Sequence, residues 1–103
     1  MFEKLISRIA KHLDKHKLSY MIIGGQAVLL YGTPRLTRDV DITLNTDIDG
    51  LPLVKRICKD LGLKVIPKNP ENFVKDTKVL PAEEPTLKIR IDFTFSFTPY
   101  ERQ

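Results

Sequence analysis

The sequence predicts an α+β domain in which a mixed, mostly antiparallel sheet carries helices packed on one face. Two segments with the apolar spacing of amphipathic helices are interleaved with short segments that alternate in the manner of strands. The chain has 103 residues, which is the size of one small domain. We therefore expect residues 1–103 to form a single folding unit.

The N-terminal third of the chain predicts a helix, a strand and a second helix. Apolar residues recur at helical spacing through residues 2–17, with lysine and glutamate between them. Residues 19–23 form a short run, Ser-Tyr-Met-Ile-Ile, that predicts a buried strand. Gly24 and Gly25 interrupt this strand, and residues 26–31 favour a helix.

The rest of the chain predicts one more amphipathic helix and several strands. Residues 39–44 alternate polar with apolar side chains, which predicts a strand, and residues 45–50 are rich in turn-forming Asn, Asp and Gly. A helix is expected over 51–61 with Gly62 as its stop. The longest alternating segment, 86–97, predicts the last strand. Shorter elements are expected between them: a strand at 64–66, a loop at 67–70, a helical turn at 71–76, a strand at 78–80 and a loop at 81–85.

Composition narrows the class of protein. The formal net charge of +4 suits an anionic partner such as a nucleotide or an RNA, although a lysine-rich solvated surface explains the charge equally simply. The single cysteine, Cys58, excludes an internal disulfide and agrees with a reducing compartment. No segment is apolar enough to span a bilayer, and no signal-peptide core opens the chain. We expect a cytoplasmic protein with no membrane partner.

Three aspartates are the strongest candidates for chemistry. Alternate side chains of a strand share a face, so Asp39 and Asp41 point the same way, and Asp92 lies on the polar face of the last strand. If the two strands are neighbours on one core, the three carboxylates converge. Such a cluster needs positive charge, and Mg²⁺ (or Mn²⁺) prefers oxygen ligands. The alternative for the D-x-D pair alone is an exposed strand face whose charges pair with Arg38 and Arg90.

A glycine pair directly follows the first predicted strand. Gly24 and Gly25 let the backbone approach a ligand closely, and the helix that follows presents free N–H groups to an anion. This place suits a triphosphate. The alternative is a plain tight turn between strand and helix, which two glycines also serve.

Taken in order, the strand, glycine pair, helix, D-x-D strand and late acidic strand resemble the nucleotidyltransferase superfamily of the DNA polymerase β type. The run Gly24–Gly32, followed by R-x-T-x-D-x-D at residues 35–41, looks like the branch that includes the toxin half of abortive-infection toxin–antitoxin systems. Ile91-Asp92-Phe93 looks like the third acidic strand of that superfamily. The resemblance covers roughly Tyr20 to Phe97, and it implies the nucleotidyltransferase fold.

The resemblance implies a two-metal transfer of a nucleoside monophosphate from an NTP to a hydroxyl acceptor. Asp39 and Asp41 would ligate both metals, and Asp92 would ligate the catalytic metal and help deprotonate the acceptor. The acceptor would be a protein side chain, a tRNA end or a small molecule such as an aminoglycoside. The residues expected at the nucleotide are Gly24, Gly25, Gln26, Arg35 and Thr37, of which Arg35 and Thr37 match recurring positions with no contact assigned.

The chain departs from the family pattern at its C-terminus. Members of that branch usually continue past the third acidic strand into helices that help bind substrate, whereas this chain stops at Gln103. We expect a minimal form, a shortened chain, or a second molecule that supplies the missing part. If the two N-terminal helices do not cover the strongly apolar face of 87–97, a homodimer or a small helical partner should, as in a toxin–antitoxin pair. The alternative function is a non-catalytic module that binds a nucleotide or a partner on the same scaffold.

Overall fold

The computed structural model describes residues 2–23 and 39–96. Within these ranges the chain forms three α-helices: α1 (Phe2–Lys15), α2 (Leu51–Leu61) and α3 (Pro70–Thr77). The same ranges contain five strands: β1 (Tyr20–Ile23), β2 (Asp39–Leu44), β3 (Lys64–Val65), β4 (Val79–Glu84) and β5 (Ile89–Phe95). The predicted glycine turn and the helix expected over 26–31 lie outside the described residues.

The five strands form one open sheet in the order β1-β2-β5-β4-β3. Strand β2 pairs with β5 in parallel, and every other neighbouring pair is antiparallel. The sheet is therefore mixed and mostly antiparallel, and the predicted α+β class is confirmed. Because β5 follows β2 only after two helices and two strands, the parallel pair joins segments far apart in the chain.

One face of the sheet is apolar and packs against the helices. Strand β5 alternates strictly, with every second side chain buried from Ile89 to Phe95, and β2 buries Val40, Ile42 and Leu44 in the same way. Helix α1 contributes three buried residues to this core, and helix α2 contributes five. The largest fully buried side chains of the core are Ile9, Leu13, Val40, Ile42, Leu44, Val54, Ile57, Val74, Leu80, Ile89, Ile91 and Phe93.

The helices end where the local chemistry dictates. Helix α2 spans Leu51–Leu61 as predicted, and Gly62 closes it in the left-handed conformation with φ of 76°. Helix α1 stops at Lys15, two residues earlier than predicted, and Lys17 then turns the chain with φ of 60°. None of the helices in 2–23 and 39–96 is long and apolar enough to cross a bilayer.

The loop predicted at 81–85 is wrong, because β4 continues through Pro81 to Glu84. Proline usually interrupts a strand because it has no N–H to donate to the ladder. Here the Pro81 carbonyl accepts a hydrogen bond from the Ile66 N–H at 3.0 Å, on the β3 side. In an extended strand the N–H and C=O of one residue point to the same side, so the missing donor also faces β3, which ends at Val65. The ladder toward β5 stays intact.

The last strand also begins later than predicted, at Ile89 rather than residue 86. Residues 85–88 form the turn between β4 and β5. The Leu87 N–H donates to the Glu84 carboxylate at 2.6 Å, and the Lys88 N–H donates to the Glu84 carbonyl at 2.7 Å. The short strand predicted at 64–66 is found as β3, which is one residue shorter than predicted. The helical turn predicted at 71–76 is found as α3, which extends over Pro70–Thr77.

Two helix ends give a matched test of left-handed backbone. A Cβ at Gly62 would meet nothing within 4 Å, so Gly62→Ala changes only the conformational energy. We expect Gly62→Ala to lower the free energy of unfolding by about 1 kcal/mol. Lys78 ends α3 at φ of 63°, so the opposite substitution should have the opposite effect. Lys78→Gly should raise the free energy of unfolding by about 0.5–1 kcal/mol.

Urea denaturation at fixed pH measures both effects. Lys75→Gly is the control, because Lys75 lies inside α3 in ordinary helical backbone; it should cost about 1 kcal/mol. A loss of stability in Lys78→Gly as large as in Lys75→Gly would contradict the assigned backbone.

Burial of Cys58 predicts a pH dependence of stability. Desolvation raises the pKa of the Cys58 thiol from 9.0 to about 12. Below pH 9 the thiol is protonated in both states, and between about 9 and 12 only the unfolded chain loses the proton. The free energy of unfolding should therefore fall with rising pH in that window, by up to about 1.4 kcal/mol per pH unit. Cys58→Ala should remove this component; equal slopes for the two proteins in urea titrations would mean that the native thiol ionises freely.

Candidate active site

The face of the sheet opposite the helices is polar along β2 and β5. The parallel register places Asp39 beside Arg90, Asp41 beside Asp92 and Thr43 beside Thr94. Residues opposite one another on neighbouring strands share a face, so these three rows form one surface, which we call the open face. Strands lie about 4.8 Å apart, so the backbones of Asp41 and Asp92 are one strand spacing from each other.

The core determines which residues meet on the open face. Val40 and Ile42 flank Asp41 in β2, and Ile91 and Phe93 flank Asp92 in β5; all four are essentially inaccessible to solvent. A slip of either strand by one residue would turn these apolar side chains into water and bury the carboxylate. The apolar residues therefore set the register that pairs the carboxylates.

Two side chains of β5 donate hydrogen bonds to the carboxylate pair. The Arg90 Nε–H donates to Asp92 Oδ1 at 3.0 Å, and the Thr94 hydroxyl donates to Asp41 Oδ1 at 3.3 Å. Arg90 and Thr94 precede and follow Asp92 by two residues, so each lies one row away on the open face. The guanidinium is about half exposed, at 52%, and the Asp92 side chain is 29% exposed. Arg90 thus places one positive charge beside two negative ones.

The remaining neighbours of the pair are apolar. Across β4, Pro81 lies opposite Asp92, and across β1, Ile23 lies opposite Asp41. Met21, one row further along β1, is 61% exposed. The carboxylates therefore lie in the middle of the sheet, and one row away Arg90 lies between Asp39 of β2 and Glu83 of β4.

The donor chemistry of the open face fits a hard divalent cation, but the side chains are not gathered around one point. Asp39, Asp41 and Asp92 offer only carboxylate oxygens, which Mg²⁺ and Mn²⁺ prefer. Within 2–23 and 39–96, however, no three His, Cys, Asp or Glu side chains lie close enough together to hold a metal ion. The backbones of Asp41 and Asp92 lie side by side, and in each carboxylate it is Oδ1 that accepts the hydrogen bond.

The structure places Asp41 beside Asp92 on neighbouring strands, with Asp39 one row away, but it does not gather the three side chains at one point. The expectation that the two acidic strands are neighbours with apolar faces on one core is found in the β2–β5 register. The roles of Asp39, Asp41 and Asp92 remain predictions. The residues predicted to contact the nucleotide lie outside the described residues: Gly24, Gly25, Gln26, Arg35 and Thr37.

Sequence reasoning missed the roles of two β5 residues. Arg90 was considered only as a partner of the D-x-D pair, whereas it bonds Asp92 on its own strand. Thr94 was not singled out, although it donates to Asp41 across the parallel pair. Arg90 and Thr94 each lie two residues from Asp92 in a strand, which places both side chains on the same face as Asp92. This alternation is the sequence feature that points to them.

The fold is similar to that of a nucleotidyltransferase of known structure. The solution structure of the antibiotic-resistance factor ANT(2'')-Ia, an aminoglycoside nucleotidyltransferase with substrate-regulated conformation dynamics, matches the chain with a TM-score of 0.63 and 22% sequence identity. The match covers 91% of this chain and 46% of that one, so the chain spans about half the length of the structure it resembles. No protein-family model matches the sequence, and a search of curated proteins finds no match.

The unequal partners of the two central carboxylates predict unequal effects on stability. Asp92 has a cationic partner and Asp41 has a neutral one, so Asp41→Asn removes repulsion without stranding a positive charge. We expect Asp41→Asn to raise the free energy of unfolding in EDTA by about 0.5–1 kcal/mol. Asp92→Asn, the matched comparison, should leave it nearly unchanged, because Arg90 loses its partner. Thermal and urea unfolding in EDTA measure both; a larger gain in Asp92→Asn would contradict the charge arrangement.

Proposed function

We propose that this chain is a nucleotidyltransferase domain that transfers a nucleoside monophosphate from an NTP to a hydroxyl acceptor. The observation that carries the proposal is the parallel register of β2 and β5. It sets Asp41 beside Asp92, with Asp39 one row away, on the open face of a sheet with the nucleotidyltransferase fold. A structural match at 22% identity supports the fold, and the carboxylates supply the chemistry.

The three aspartates would hold the divalent cations of this reaction. Asp39 and Asp41 would ligate both Mg²⁺ ions, and Asp92 would ligate the catalytic one. Bound Mg²⁺ would supply positive charge for the phosphates and would make the acceptor hydroxyl more acidic. Asp92 would take the proton of the acceptor hydroxyl as its oxygen bonds to the α-phosphorus. The bond between that phosphorus and the bridging oxygen breaks, and pyrophosphate leaves.

The chain path supports a triphosphate site beside these carboxylates. Ile23 ends β1 directly opposite Asp41 in the register. The glycine pair, residues 24 and 25, comes directly after Ile23 in the sequence, and the backbone of Ile23 lies one strand spacing from that of Asp41. We propose that Gly24 and Gly25 receive the triphosphate, with Gln26, Arg35 and Thr37 near it.

The acceptor class defines the finer part of the proposal. A protein side chain, a tRNA end and a small polyhydroxylated molecule all offer the required hydroxyl. Likeness to an aminoglycoside nucleotidyltransferase supports testing a small molecule first. The toxin–antitoxin branch, the homodimer or helical partner, and the cytoplasmic location remain predictions.

Transfer to an acceptor is tested by incubating the protein with each α-labelled NTP and Mg²⁺. Aminoglycosides, a tRNA pool and the protein itself are offered separately as acceptors. Labelled product should form with one acceptor class and should fall on the order of a thousandfold in Asp39→Ala/Asp41→Ala. Asp60→Ala is the control, since Asp60 is exposed on α2 rather than on the open face. Product formation that survives the double substitution would refute the assignment of the carboxylates.

The second candidate is a module that binds a nucleotide without turnover. The hydrogen bonds that draw Asp41 and Asp92 to different rows favour it, because the carboxylates then do not share a cation. Calorimetry with ATP and Mg²⁺ separates the two candidates. Saturable binding without release of pyrophosphate in any acceptor mixture supports the module, and pyrophosphate release supports the enzyme.

A further inference from the structure

The two donors of β5 pull the central carboxylates in opposite directions along the sheet. Arg90 lies in the row of Asp39, and Thr94 lies in the row of Thr43. Asp92 accepts its hydrogen bond from the Arg90 row, and Asp41 accepts its own from the Thr94 row. Asp41 and Asp92 share a row, so the two donors lie on opposite sides of that row.

This arrangement has a plain electrostatic reason. Two carboxylates on adjacent residues of neighbouring strands repel each other, and more strongly near a protein surface than in bulk water. Arg90 offsets part of that repulsion with its charge, and the Thr94 hydroxyl offers Asp41 a neutral donor. The domain can therefore fold without a cation at the pair.

The same contacts oppose a shared cation. A divalent ion between Asp41 and Asp92 needs oxygens from both, at about 2.1 Å for Mg²⁺. The Arg90 guanidinium competes for an Asp92 oxygen and repels the ion, whereas the Thr94 hydroxyl competes for an Asp41 oxygen without charge. Arg90 should therefore oppose binding more strongly than Thr94.

We propose that Arg90 and Thr94 are positioning residues that hold Asp41 and Asp92 apart, and that cation binding releases these two hydrogen bonds. This inference rests on the proposed function, because it assigns the aspartates as cation ligands. Its consequence is that removing a donor strengthens cation binding. The released Arg90 guanidinium lies on the open face, where it faces the anionic substrate that the cation brings.

The test measures Mn²⁺ affinity by calorimetry at constant ionic strength, in the whole chain without nucleotide. Arg90→Met should tighten binding about tenfold, because it removes both the competing donor and a positive charge beside the ion. Thr94→Val should tighten it only a few-fold, and Thr94→Ser, which keeps the hydroxyl, should match the wild type. Arg56→Met is the charge-matched control, since it removes one positive charge from exposed α2; it should leave the affinity unchanged.

A second measurement follows the contact itself. The Arg90 side-chain Nε–H signal, assigned by its loss in Arg90→Lys, should exchange slowly with water in EDTA and faster as Mg²⁺ is added. Urea unfolding of each variant establishes that it is folded before its affinity is compared.

The outcomes separate the two proposals. Mn²⁺ affinity that is equal or weaker in Arg90→Met overturns the inference, and it leaves the proposed function standing if labelled product still forms. An unchanged Nε–H exchange rate on saturation with Mg²⁺ also overturns the inference alone. If neither wild type nor Arg90→Met binds Mn²⁺, the inference is overturned, and the proposed function fails with it only if no labelled product forms with any NTP and Mg²⁺.

Discussion

The parallel pairing of β2 with β5 is the constraint on which the rest of the molecule depends. It is the one parallel contact in the described part of the sheet, and it sets both the central register of the core and the meeting of Asp41 with Asp92. The two results are inseparable, since strand alternation assigns one face to packing and the other to chemistry. A substitution that weakens the apolar side of this pair therefore also disturbs the carboxylates.

This pairing carries an electrostatic cost. The middle of a sheet is a place where apolar or neutral neighbours stabilise strands, and like charges opposite one another destabilise them. Here Asp41 faces Asp92 across neighbouring strands, with Arg90 as the nearest cation bonded to the pair. The fold tolerates the arrangement because the fully buried Val40, Ile42, Ile91 and Phe93 stabilise the same strands from the other side. A local arrangement that lowers stability, such as two like charges facing each other, is typical of functional sites.

The elements that local chemistry determines were predictable, and those that depend on a distant partner were not. Strand β2 and helix α2 have the predicted bounds because D-V-D-I-T-L alternates strictly and Gly62 permits the left-handed stop. Pro81 misled the prediction because its place in a strand depends on which neighbour its missing N–H faces, and β3 ends there. The Thr94–Asp41 bond joins residues distant in sequence, so spacing alone places them on a face without naming the pair.

The distance in sequence between the carboxylates also bears on when a cation site exists. Asp41 and Asp92 are separated by α2, β3, α3 and β4, so they meet only when β2 and β5 have paired. In the unfolded chain Asp39 and Asp41 remain close, but Asp92 does not. A cation that needs all three therefore binds the folded state preferentially and stabilises it in proportion to that preference. Because Arg90 already offsets part of the repulsion between the two carboxylates, the sheet can hold them side by side before such a cation arrives.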